Sequence, residues 1–233
     1  MKRKYSHIFF DLDHTLWDFE SNARITLEHL FEELALEKRG VNDFERFYQN
    51  YLVHNDRLWD RYRKGYIRQD ELRLKRMWLT LLDFKIADEK LAQQMNVQFL
   101  QLLPTRNAVF PHTHDILKYL RDRSYQLHLI TNGFEEVQHN KLKHSGLTEF
   151  FGEVITSEGS NSLKPNKEIF EYAFRKTSAT PETSIMIGDT PEVDIQGAIN
   201  AGMDQVFVNF KSISTTVPST YEIKSLKELE SIF

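Results

Sequence analysis

The chain of 233 residues contains no cysteine. That absence excludes disulfides, a thiolate nucleophile and cysteine-ligated zinc or iron–sulfur centres. Proline and glycine are sparse, at 6 and 9 residues, and neither an internal repeat nor a low-complexity stretch is visible, so a folded globular chain is expected throughout. A surplus of one charge is also lacking. Lys and Arg number 30 against 34 Asp and Glu, a formal net charge of −4, which argues against nucleic acid as a partner. No run approaches the roughly 18 to 20 apolar residues of a membrane span. The basic start Met1-Lys2-Arg3-Lys4-Tyr5 meets Asp11 too soon to be a signal peptide. A cytoplasmic location is therefore the expectation. Neither G-x-x-x-x-G-K-S/T nor a strand-borne G-x-G-x-x-G occurs, so the common phosphate-binding glycine loops are excluded.

What is present falls into two textures. The run His7-Ile8-Phe9-Phe10 reads as a buried strand, with Asp11 and Asp13 directly behind it. Residues 17–103 then show no strand pattern. Ala23, Leu27, Leu30, Phe31 and Leu34 recur at helical spacing, as do Phe44, Phe47, Tyr48, Tyr51 and Leu52. Gly40 and Gly65 read as breaks, and Leu72, Met77, Leu79, Leu81 and Leu82 extend the pattern into a module of four or five helices.

From about Phe110 strands and helices alternate. Strands are expected at 127–131, 153–156, 184–188 and 205–209, with helices at 112–123, 134–145, 166–177 and 191–201 between them. Tyr221-Glu222-Ile223 suggests a last strand, and Leu226, Leu229 and Ile232 a closing helix. The last helix of the alternating series has Thr190 to cap it, Pro191 at its first position and Gly202 as its stop. The expected fold is α/β, a Rossmann-like, mostly parallel sheet interrupted after its first strand by a helical cap. Residues 1–15 and 106–233 form the core, and 16–105 the insertion. An insertion at a strand's carboxyl end falls where open α/β sheets bind ligands, so a lid is expected.

Four polar clusters fall near the ends of these core segments. They are Asp11-Leu12-Asp13-His14-Thr15, Thr131-Asn132-Gly133, Lys164-Pro165, and Gly188-Asp189-Thr190-Pro191-Glu192-Val193-Asp194. In a parallel sheet they can converge on one edge. Asp11 and Asp13 are two residues apart, so a persisting strand would turn both to one side. Close carboxylates repel, and the pair needs a metal ion, a shared proton or a strong opposite charge. Taken singly, Thr131-Asn132-Gly133 also reads as a strand-to-helix turn and Asp189-Thr190-Pro191 as a helix start. His112, His114, His139 and His144 show no metal-ligand spacing.

The set and order of these motifs resemble the haloacid dehalogenase superfamily of aspartate-nucleophile phosphatases, over nearly the whole chain. The resemblance implies Mg²⁺-dependent hydrolysis of a phosphate monoester through an aspartyl phosphate. It makes Asp11 the nucleophile and Asp13 the group that protonates the leaving oxygen and then deprotonates water. The Thr131 hydroxyl and the amides of Asn132 and Gly133 would hold the phosphoryl oxygens, with Lys164 supplying positive charge. Asp11, the Asp13 backbone carbonyl and Asp189 would hold Mg²⁺, with Asp194 as a further carboxylate. The superfamily's dehalogenases lack the second aspartate, so Asp13 favours a phosphatase. His14 departs from the small or polar residues common at its position, and reads either as a tuner of Asp13 or as a loop residue.

A finer resemblance links Asn55 through Ile67, Thr131-Asn132-Gly133-Phe134, the run from Lys164 to Ala173, and Gly188-Asp189-Thr190 through Asn200-Ala201-Gly202 to bacterial pyrimidine 5′-nucleotidases. It implies a nucleoside monophosphate as the small-molecule partner, with Asn55, Trp59 and Tyr62 as base-recognising residues. Trp59 and Tyr62 read equally as core of the helical module. The alternatives are a phosphatase of another small metabolite, such as a sugar phosphate or phosphoglycolate, and a catalytically silent binding protein.

Overall fold

The computed structural model describes residues 4–233. The chain divides into two compact units. One joins the N-terminal segment as far as Phe19 to Asn107–Phe233, and the other is Glu20–Arg106. The α/β unit is built on a six-stranded sheet: β1 (His7–Phe10), β2 (Gln126–Thr131), β3 (Glu153–Thr156), β4 (Ser184–Gly188), β5 (Asp204–Val208) and β6 (Tyr221–Ile223). Their order is β3-β2-β1-β4-β5-β6, and every pairing is parallel. β1 is thus central, flanked by β2 on one side and β4 on the other. Its ladder continues past the strand, because the Asp11 amide donates to Ile187 O at 2.8 Å.

Nine α-helices are seen among the described residues: α1 (Phe19–Glu33), α2 (Phe44–Arg63), α3 (Gln69–Leu82), α4 (Glu89–Leu102), α5 (Thr113–Asp122), α6 (Glu135–His144), α7 (Ser157–Ser160), α8 (Lys167–Thr177) and α9 (Gln196–Asn200). Parallel strands need such crossovers, and helices on the sheet explain why the central strands β1 and β4 are buried along their length. Phe9, Ile130, Ile155 and Met186 meet Ile169, Phe170 and Ala173 of α8 and Ala198 of α9 in one buried cluster. Alternation sends Ile8 and Phe10, both fully buried, to the opposite face.

The helical unit carries most of α1 and all of α2, α3 and α4. Asp43 and Asp88 cap α2 and α4 by accepting from the amides of Arg46 and Leu91, each at 3.0 Å. Gly40 and Gly65 take positive φ angles of 111° and 73° at the breaks, a conformation glycine adopts without a Cβ penalty. The insertion begins later than expected, at Glu20. Residues 16–18 belong to the α/β unit because Trp17 is fully buried there and the outgoing and returning chains bond: Phe110 N donates to Leu16 O, and Asp18 N to Ala108 O.

Candidate active site

The carboxyl edge of β1, β2 and β4 gathers side chains far apart in sequence. Asp11 follows β1, and its Oδ1 accepts from Lys164 Nζ at 2.6 Å. The same ammonium donates to Ile130 O at 2.7 Å and lies 2.7 Å from Asp194 Oδ1. Lys164 is 1% exposed. Burial alone would lower its pKa, but Asp11 and Asp194 outweigh burial and raise it, so the lysine stays charged.

Lys164 is reached by no regular element, so its backbone is held by a side chain. Asn132 Oδ1 accepts from Lys164 N at 2.7 Å, and Asn132 Nδ2 donates to Lys164 O at 2.9 Å. The Asn132 side chain is therefore committed to the lysine loop. Thr131 Oγ1 accepts from Gly133 N at 3.1 Å and from Gln138 Nε2 at 2.7 Å. With both lone pairs taken, its hydroxyl proton is left to donate.

The residues after β4 complete the cluster. A wide π-helical turn, Pro191–Ile195, runs into α9. It replaces the regular helical start expected there. The Thr190 side chain makes no cap; instead Asp194 Oδ2 accepts from the Thr190 amide at 3.0 Å, folding the carboxylate back towards β4. Gly188 makes room for it, since a Cβ at Gly188 would lie 2.5 Å from Asp194 Cγ. Asp189 Oδ1 accepts from Thr15 Oγ1 at 3.2 Å.

One oxygen each of Asp11, Asp189 and Asp194 lies within 4.8 Å of the others. Burial pushes Asp11 up to about 8 against the pull of Lys164, and Asp194 and Asp189 add to the rise. Burial and then Asp194 push Asp189 up to about 7. Three carboxylates facing one ammonium thus hold more negative charge than the protein neutralises. Hard oxygen donors at this spacing fit a small divalent cation such as Mg²⁺.

Asp13 stands apart from that cluster. Its Oδ1 and Oδ2 accept from Lys141 Nζ at 2.6 and 2.9 Å. Its Oδ2 also accepts from Gln138 Nε2 at 3.0 Å. Burial would raise the Asp13 carboxyl, but Lys141, then Gln138 and His14, hold it below the usual carboxylate range. Each carboxylate of the DxD pair therefore has its own lysine. His14 sits beside the pair with a left-handed φ of 63°, its ring 5.1 Å from that of Phe19.

Lys141 and Gln138 are absent from the sequence-level assignment. Their signal was available: the inward face of α6 carries Gln138 and Lys141 beside Leu142, two polar residues where a crossover helix ordinarily buries aliphatic ones.

Asn55, Trp59 and Tyr62 lie on α2 in the helical unit. Asn55 is buried, and its Oδ1 accepts from Arg76 at 3.3 Å. The Trp59 and Tyr62 rings meet edge to face at 5.7 Å and pack on Leu58, Ile67 and Leu72. His114 and His144 bond backbone carbonyls, of Ser145 and Asn140 respectively.

A family model described as haloacid dehalogenase-like hydrolase matches residues 5–202. The chain is 31% identical over 228 residues to the pyrimidine 5′-nucleotidase PynA of Streptococcus pneumoniae, covering 97% of this chain and 93% of that protein. It is also 31% identical to the pyrimidine 5′-nucleotidase YjjG of Escherichia coli, over 98% of each. Among solved structures, that of the HAD-hydrolase YfnB of Bacillus subtilis, described as bound to magnesium, matches with a TM-score of 0.89 and 27% identity over 99% of both chains.

Proposed function

The chain belongs to the haloacid dehalogenase-like hydrolases, and on that premise we propose that it is a Mg²⁺-dependent phosphatase of nucleoside monophosphates, a 5′-nucleotidase. The observation that carries the reading is the meeting of Asp11, Lys164, Asp189 and Asp194 on one sheet edge, with Asp13 next to it on a lysine of its own. The near full-length likeness to two pyrimidine 5′-nucleotidases supports the choice of a nucleotide.

Phosphate monoesters hydrolyse very slowly unaided, and two displacements through a covalent intermediate ease each step. An Asp11 oxygen attacks phosphorus, the ester P–O bond breaks, and the leaving oxygen takes the proton of Asp13. Water then attacks phosphorus and gives a proton to Asp13 as the P–O bond to Asp11 breaks, which releases inorganic phosphate and restores both carboxyls. A bound phosphate dianion beside Asp13 disfavours its ionised form, so the carboxyl can hold a proton before the first step and lose it during that step. Lys164 neutralises Asp11, and the Thr131 hydroxyl donates to a phosphoryl oxygen. Mg²⁺ held by Asp11, Asp189, Asp194 and the Asp13 carbonyl would supply positive charge to the phosphoryl oxygens.

Phosphate release from a panel of nucleoside monophosphates and sugar phosphates, with and without Mg²⁺, tests the reading. The expected result is metal-dependent turnover, highest on a pyrimidine nucleotide and abolished in Asp11→Asn. Sugar phosphates outperforming every nucleotide would overturn the nucleotide assignment. No turnover on any ester would overturn the phosphatase.

A further inference from the structure

Lys141 has no place in the chemistry so far, yet its side chain is only 4% exposed. Burying an ammonium is costly unless it is paired. Its Nζ lies 4.5 Å from the centre of the Trp17 ring, which is itself fully buried. Beyond that ring its partners are the two oxygens of Asp13. Gln138, one helical turn earlier, is fully buried and divides its amide between Asp13 Oδ2 and Thr131 Oγ1. A Cβ at Gly133 would lie 2.3 Å from Gln138 Cδ, so the glycine lets that side chain through.

Resting on the phosphatase reading above, we propose that α6 is a positioning element for the reaction. In this assignment Gln138 and Lys141 are positioning residues that hold the Asp13 carboxyl, the proton carrier, at a fixed spacing from the Thr131 hydroxyl, the phosphate donor. Asp13 lies on the loop after β1, and no regular element fixes its side chain. Three hydrogen bonds from one rigid helix do so. The fourth lone-pair direction of the carboxylate remains for the leaving oxygen. Because Gln138 bonds Thr131 with the same nitrogen, the proton carrier and a phosphate-holding hydroxyl move together.

This role differs from plain stabilisation in how it depends on the leaving group. A nucleoside monophosphate releases an alkoxide that must be protonated, whereas p-nitrophenyl phosphate releases a stable phenolate. Misplacing Asp13 therefore harms the first ester far more than the second.

The experiment measures kcat/KM for a pyrimidine nucleoside monophosphate and for p-nitrophenyl phosphate, in Mg²⁺. It compares wild type with Lys141→Met, Lys141→Arg, Gln138→Leu, Asp13→Asn and the double variant Asp13→Asn/Lys141→Met. Lys141→Met is expected to lose ~10²-fold on the nucleotide, the scale of a misplaced catalytic group. On the aryl ester it should lose much less, with Lys141→Arg recovering part of the nucleotide rate. In the Asp13→Asn background, Lys141→Met should cost nothing further on the nucleotide. Should Lys141→Met not fold, Gln138→Leu reads the same leaving-group contrast from the other bond. Equal losses on both esters, or additive losses in the double variant, would overturn the inference and leave the phosphatase reading intact. A wild type inactive on both esters would instead overturn the phosphatase reading, and this inference with it.

Discussion

Lys164 keeps its charge at 1% exposure because four groups agree on its position. Asp11 and Ile130 O accept from its ammonium, Asp194 faces it as an ion pair, and Asn132 brackets its backbone. The backbone bracket is the part a mutation can remove without touching charge. Asn132→Ala strips partners from the Lys164 N–H and C=O, at a cost of about 1–3 kcal/mol for the unsatisfied groups. The ammonium then loses its fixed aim at Asp11, and kcat is expected to fall ~10²-fold, as for a catalytic group displaced by about 1 Å. Steady-state kinetics beside a circular dichroism spectrum would check this. A folded Asn132→Ala with unchanged kcat would show that the bracket is dispensable. Asp11, Asp13, Lys164 and Asp189 were legible in the chain because each stands in a short motif at a predicted segment end. Lys141 and Gln138 stand in no such motif: the polar inward face of α6 marks them, but their tie to Asp13 spans more than a hundred residues and is made by β1–β2 pairing.

The elements were legible for a related reason. A central strand such as Ile185-Met186-Ile187 is buried on both faces, so it reads as a continuous apolar run. The start of α9 was harder, since the wide turn at Pro191–Ile195 is set by the Asp194 carboxylate bonding back to Thr190 and not by propensity. Close approach within these layers rests on Gly197. A Cβ there would sit 2.7 Å from the Phe170 ring of α8 and 3.0 Å from Pro165 Cα. Gly197→Ala is thus expected to destabilise by about 1–3 kcal/mol, the usual cost of overpacking. Trimming the ring with Phe170→Leu in the same chain should recover part of the loss in thermal melting. Additive losses would place the strain on the backbone at Pro165 instead. A second element-scale feature is the contact between β1 and β2, where His7 Nδ1 lies 3.2 Å from His128 Nε2. Burial first, and then the nearby His7, push His128 down to about 4. An unfolded chain takes up the His128 proton near pH 6.5, before the native one does. The contribution to stability is therefore complete above about pH 6.5 and is lost as pH falls towards 4. In Mg²⁺-saturated protein the melting temperature should fall by a few degrees between pH 7 and 5. His128→Asn should flatten that slope, and an unchanged slope would assign the acid sensitivity to other groups.

Across the whole molecule, chain continuity and charge pull in different directions. The α/β unit is assembled from both ends of the chain around an inserted unit of its own, and its sheet edge concentrates carboxylates that the fold alone leaves under-neutralised. Without a metal, burial and the neighbouring carboxylates push Asp11 up to about 8 and Asp189 up to about 7, against roughly 4 for the unfolded chain. Between those values the native state holds protons that the unfolded state has released. Above about pH 6.5, where the His128 contribution is complete, the stability of the metal-free protein should accordingly fall as pH rises towards 8. At the proposed site Mg²⁺ would displace those protons, so its affinity should rise over the same interval. At a hundredfold excess over its Kd the ion would add about 2.7 kcal/mol, or roughly 5 to 10 °C in melting temperature for a chain of this size. Thermal melts at pH 6.5 and 8, with and without Mg²⁺, should therefore show the metal-free midpoint lower at pH 8 and the Mg²⁺ increment larger there. Asp189→Asn removes one of the displaced protons and one ligand together. It should raise the metal-free midpoint at pH 8 while shrinking the Mg²⁺ increment. An increment of equal size at both pH values, or one that survives Asp189→Asn, would place the ion elsewhere.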